Sequence, residues 1–82
     1  MSREEIEERI KVYFKNHTFT FVKTVLSSGM INYFNGYITE NSKDFIMFSD
    51  AELKRQGRKE DIPIVKDEIK EVNISHRRIE PE

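Results

Sequence analysis

At 82 residues, with no cysteine and no tryptophan, the chain is a small domain near the size at which one core suffices alone. Disulfides are excluded and no Cys/His spacing suggests a structural zinc, which leaves oligomerisation as the common route to further burial. Its 14 Lys+Arg against 15 Asp+Glu give a net charge of −1, so any nucleic-acid binding needs a local patch rather than a broad positive field.

In chain order, Ser2 to about Asn16 reads as an amphipathic helix. Ser2 and Glu5 have the spacing of a capping box, and Glu4, Glu5, Glu7 and Glu8 crowd the positive end of the helix dipole. Ile6, Ile10, Tyr13 and Phe14 form one apolar stripe, with Glu8, Arg9 and Lys15 opposite. Such a stripe packs against another element, and the residues after the helix read as β-sheet. Thr18 to Leu26 is rich in β-branched and aromatic residues and is broken by Ser27-Ser28-Gly29. A second strand runs from about Ile31 to Glu40 with Gly36 inside it, where a glycine marks sharp curvature, a bulge or the close approach of another backbone. Asn41 to Asp44 is a turn, and Phe45 to Phe48 a short apolar strand. Asp50 to Asp61 is polar around Gly57 and reads as a solvated loop. Ile62 to Val65 is a strand whose proline belongs at its start or edge. After a tight turn at Lys66 to Glu68, the last strand runs from Ile69 to Ile74, and residues 75–82 read as a frayed tail.

One helix followed by closely spaced short strands argues for a single, mainly β domain built as a small antiparallel barrel. No apolar run nears the roughly 20 residues that cross a bilayer. The acidic opening Met-Ser-Arg-Glu-Glu is unlike a secretory signal, so a cytoplasmic location without membrane association is the default expectation.

The run Val22-Lys23-Thr24-Val25-Leu26-Ser27-Ser28-Gly29, followed by Gly36-Tyr37-Ile38, resembles the first motif of the Sm-like family, which includes the LSm proteins and the bacterial RNA chaperone Hfq. Ile64-Val65-Lys66-Asp67-Glu68-Ile69 stands where the second motif of that family falls. The resemblance spans about Ser2 to Ile74. It implies an N-terminal helix over a strongly bent, five-stranded antiparallel open barrel, with residues 2–16 as helix and 18–74 as barrel. It also implies edge strands paired between subunits into a homo-oligomeric ring, with single-stranded RNA bound around the pore. By position the contacts would come from Ser42, Lys43 and Asp44 in one turn and from Lys66 and Asp67 in the other.

These positions depart from the family pattern. Asp44 is the nearest equivalent of an asparagine that reads a base edge, and a carboxylate cannot donate and repels phosphate. In the second turn Lys66 keeps a cation, but its neighbour Asp67 is acidic. The hairpin between Gly29 and Gly36 is also longer than the family usually shows.

Outside the two turns, Lys54, Arg55, Arg58 and Lys59 form the most basic cluster and could hold a phosphate backbone without reading sequence, although Glu52, Glu60 and Asp61 flank it. His76-Arg77-Arg78 is a second cationic spot, offset by Glu80 and Glu82. Tyr33 and Tyr37 lie in phase on one strand face, opposite Phe34 and Ile38, where they would either stack bases or pack. Neither Asp50 with Glu52 nor Glu68 with Glu71 makes a persuasive acid–base pair. His17 stands at the helix-to-strand junction, and no nucleophile–histidine arrangement, phosphate-cradling loop or cofactor motif is visible. The expectation is therefore a non-enzymatic ring that binds single-stranded RNA. The competing expectations are a structural ring without RNA and a monomeric barrel that binds a protein partner.

Overall fold

The computed structural model describes residues 1–76. Helix α1 spans Arg3–Lys15, and its start is fixed by the capping box: Ser2 Oγ accepts from the Glu5 amide at 3.1 Å while Glu5 Oε1 accepts from the Ser2 amide at 3.4 Å. Ile6 and Ile10 are buried and Tyr13 packs beside them, but Phe14 is 40% exposed, so the apolar stripe is narrower than expected. The helix ends at His17, whose positive φ of 52° turns the chain toward the sheet.

Five strands complete the fold: β1 (Thr20–Val25), β2 (Ile31–Asn41), β3 (Phe45–Asp50), β4 (Ile62–Val65) and β5 (Ile69–Ile74). They form one antiparallel sheet in the order β4-β3-β2-β1-β5, which is not closed. Strand β2 organises it. Residues Ile31 to Gly36 pair with β1, residues Gly36 to Asn41 pair with β3, and Gly36 is paired on both sides, to Thr20 and to Asp50. The sheet therefore bends at Gly36, and a register shift between Ile38 and Glu40 adds to the curvature. A Cβ at Gly36 would overlap the Ser49 carbonyl oxygen and stand 3.1 Å from the Ala51 amide nitrogen. The glycine is there because another backbone fills the space of its missing side chain.

Strand periodicity directs Val22, Ile38, Ile46, Phe48, Ile64 and Val72 inward, where with Ile6 and Ile10 they make the core beneath the helix. Phe34 packs on this core, while Tyr33 is exposed on the other face, as the alternation requires. The stretch expected to be a solvated loop from Asp50 to Asp61 begins instead with a short helix, α2 (Ala51–Arg55). Its cap is Asp50, buried to 8% exposure, whose Oδ2 accepts from the Leu53 amide at 3.1 Å and whose Oδ1 accepts from the Asn35 amide at 3.3 Å. One carboxylate thus starts the helix and satisfies a backbone donor left open at the bend. The expected tail lies mostly outside the described residues, as do Arg77, Arg78, Glu80 and Glu82; Ser75 still donates its amide to Phe19 O at 2.9 Å.

Candidate functional site

The fold brings together the two turns in which the resemblance places RNA contacts. The Lys66 amide donates to the Asp44 carbonyl at 2.9 Å, so the β2–β3 turn and the Lys66–Glu68 turn form one rim at the β3–β4 end of the sheet. Ser42 is half-buried, its hydroxyl donating to Glu40 Oε2 at 2.7 Å, and Lys43 and Asp44 are exposed. At the head of this rim the Asn41 Oδ1 is buried with no hydrogen-bond partner among the described residues. It is an acceptor awaiting a donor, and polarity alone did not distinguish it from its turn neighbours.

Lys66 does not face the rim. Its side chain is 3% exposed and its ammonium lies 3.1 Å from Glu7 Oε2 on α1. Asp67 is exposed but is held by the guanidinium of Arg3, which also reaches Glu7 at 3.5 Å. The second turn is thus bound to the first helical turn by a chain of charges, Asp67–Arg3–Glu7–Lys66. The Lys66 cation expected at a phosphate instead anchors the helix on the sheet. Sequence reasoning missed Arg3 and Glu7 because these partners come from the far end of the chain.

The basic cluster stands at the opposite end of β3, roughly 16 Å from the rim at about 3.3 Å per residue. Lys54 is half-buried, 3.2 Å from Asp61, and its ammonium also reaches the Lys59 carbonyl. Arg55 lies 3.9 Å from Glu52, while Arg58 and Lys59 are exposed. The structure therefore does not unite the rim and the basic cluster into one patch. Thr39 donates to Asp61 Oδ2 at 2.8 Å, and this hydrogen bond, with the Lys54 contacts, holds the Asp61 carboxyl below its ordinary value. A carboxylate with a lowered folded-state value stabilises the fold above its unfolded value, near pH 4, and loses that contribution as pH falls through the folded one. Thr39→Val should therefore lower the melting temperature slightly at pH 6 and not at pH 2, as acid and neutral thermal melts would show.

Tyr37 is half-buried, with His17 stacked on it at 4.4 Å and Phe19 tilted against it at 5.3 Å. Tyr33 stacks on Phe21 at 5.9 Å and is 60% exposed. Among the described residues no group of three or more His, Asp or Glu is placed to hold a metal ion, and no helix is long and apolar enough to cross a membrane.

No protein-family model, curated protein or solved structure matches the chain.

Proposed function

We propose that the chain is an Sm-like subunit that joins copies of itself, edge strand to edge strand, into a homo-oligomeric ring with single-stranded RNA as its ligand class. The observation that carries this is the sheet order β4-β3-β2-β1-β5, which leaves two different strands with unpaired backbone groups on one small chain. Both edges also carry exposed apolar side chains, Val65 at 45% on β4 and Ile74 at 52% on β5. Pairing β4 of one copy with β5 of the next removes both edges and supplies the burial a chain of this size needs. The helix-first order, the bend at Gly36 and the short turn between β4 and β5 support the Sm-like assignment.

For RNA, the rim presents Lys43, and the basic cluster presents Arg58 and Lys59. A structural ring without RNA is the second reading, favoured by the pairing of Lys66 with Glu7 and of Lys54 with Asp61. Light scattering on the purified protein should give a discrete multiple of 9.8 kDa. Ile74→Lys should shift it toward monomer while the circular dichroism spectrum is kept. A monomer at every concentration would sink the ring. Titration with U-rich and A-rich 12-mers at low salt separates the two ring readings. RNA held by few phosphates should show a shallow salt dependence, with a slope of about −0.7 per phosphate neutralised, and no binding at all leaves the structural ring.

A further inference from the structure

A groove of about 500 Å³ lies on the outer face of β5, β1 and β2 and shares no lining residue with the rim or the basic cluster. That volume falls in the range of small-molecule clefts, about 300–1,000 Å³. Cross-strand register places its residues. Phe21 stands opposite Asn35 on one side and Asn73 on the other, and Tyr33 is two residues from Asn35 on the same face. Ile74, Ser75 and His76 complete it.

Three features of this groove point to a planar ligand with a hydrogen-bonding edge. First, Phe21 and Tyr33 are near-parallel, with an interplanar angle of 23°, and the 60% exposure of Tyr33 leaves the stack open to a further ring. The neighbouring His17–Tyr37 stack, by contrast, is already filled from within the chain.

Second, Asn35 is only 7% exposed, yet its amide is half used. Ser75 Oγ donates to Oδ1 at 2.6 Å, and among the described residues nothing meets Nδ2. Turning the amide over would exchange the two atoms and still leave one open. Nδ2 is not sealed from water; it is a donor that opens on the groove and is available to an acceptor on a ligand.

Third, Asn73 is held in place rather than free: Arg9 donates to its Oδ1 and to the Val72 carbonyl. The groove thus combines an aromatic platform, one fixed amide and one open amide. The charges beside it are Arg9, which touches Asn73, and Lys23 and Glu71, which stand opposite each other across the β1–β5 ladder.

We infer that this groove binds a nucleobase, stacked on Tyr33 with its edge hydrogen-bonded to the Asn35 side chain. The inference rests on the single-stranded RNA part of the proposed function and does not need the ring, although Ile74 both lines the groove and stands on the β5 edge that the ring would cover. The base would be either a free nucleoside or one unit of a strand, and the chemistry is the same for both. The stack reads a π-face, which every base has, and the amide supplies the discriminating contact.

The test is a titration of isotope-labelled protein with the four ribonucleosides and with A12 and U12 RNA, following the side-chain amide resonances of Asn35 in the groove and Asn41 at the rim. Tyr33→Ala is titrated in parallel; Tyr33 is 60% exposed, so its loss should lower the thermal melt only slightly and leave the protein folded. The expected result is an Asn35 shift on ligand addition and about a 5- to 150-fold weaker affinity in Tyr33→Ala, the range for one stacked base. Nucleosides as effective as the 12-mers would identify the ligand as a free nucleoside, whereas 12-mers alone would identify a strand. Binding that moves Asn41 but not Asn35, and that ignores Tyr33→Ala, overturns the groove and leaves RNA binding at the rim. No binding of any probe overturns both. Asn35 shifts that track protein dilution instead of ligand would make the groove a contact between copies and overturn the inference.

Discussion

Replacing Gly36 with alanine is expected to damage the fold far more than the same change at the other two glycines, costing about 3–5 kcal/mol, above the usual range for overpacking. Ordinary overpacking costs about 1–3 kcal/mol, because side chains near the added methyl can give way. At Gly36 the obstacle is backbone: the Ser49 carbonyl and, at 3.1 Å, the Ala51 amide. Relief requires β3 to move away from β2 at the residue where both halves of the sheet are joined. A domain of this size holds roughly 4–12 kcal/mol in total, so the variant keeps little margin. At about 4–8 °C per kcal/mol its melting temperature should fall by roughly 12–40 °C at fixed protein concentration. Gly29→Ala and Gly57→Ala are the controls. Both positions have positive φ, 91° and 87°, but a Cβ there meets nothing within 4 Å. Only backbone strain is at stake, about 1–2 kcal/mol each. If Gly36→Ala melted no lower than these two, the close approach of β3 would not be what fixes the bend.

The pair joining α1 to the second turn should respond unequally to loss of its two members. Lys66 is 3% exposed and Glu7 is 40% exposed. Glu7→Ala leaves a buried ammonium without its carboxylate, a fault that costs about 3–5 kcal/mol at full burial and about 2–3 kcal/mol where one partner reaches water. Lys66→Met keeps the volume of the aliphatic stem and leaves a carboxylate that still has solvent and Arg3, so it should cost under about 1 kcal/mol. The double substitution Glu7→Ala/Lys66→Met should recover most of the loss seen with Glu7→Ala alone, and urea unfolding of the four proteins measures this directly. Equal effects from the two single changes would mean that Lys66 swings out to water when its partner is removed. RNA affinity, if tied to Lys66 as the family resemblance implies, would fall in Lys66→Met by more than its small loss of stability explains.

Most of the fold was legible because its signals are local. Ser2 and Glu5 announce the helix start, alternation and turn residues mark the five strands, and Gly36 stands out as a glycine in an otherwise well-formed strand. Helix α2 was missed because five residues make little more than one turn, too few for a 3.6-residue period, and the surrounding polarity favoured a loop. Its signal was Asp50 itself, a capping residue directly before Ala51-Glu52.

The site was less legible, for a reason rooted in distance along the chain. A lysine in a turn looks the same whether it faces solvent or a carboxylate; only the docking of α1 brings Glu7, 59 positions away, onto Lys66. The groove is similar. Phe21, Asn35 and Asn73 belong to three strands and become neighbours through register alone, so only the in-phase placement of Tyr33 and Tyr37 on β2 gave a hint of that face.

In the proposed ring, the two unlike edges of the sheet would give each copy a direction. A copy whose β5 edge is blocked would still offer its β4 edge, so it could be added to a growing chain but could not be added to. Mixed with normal protein, a small fraction of such copies would act as terminators and spoil far more assemblies than their own number. Loss of one edge would then be dominant over the intact protein, whereas loss of both edges would be silent in the mixture.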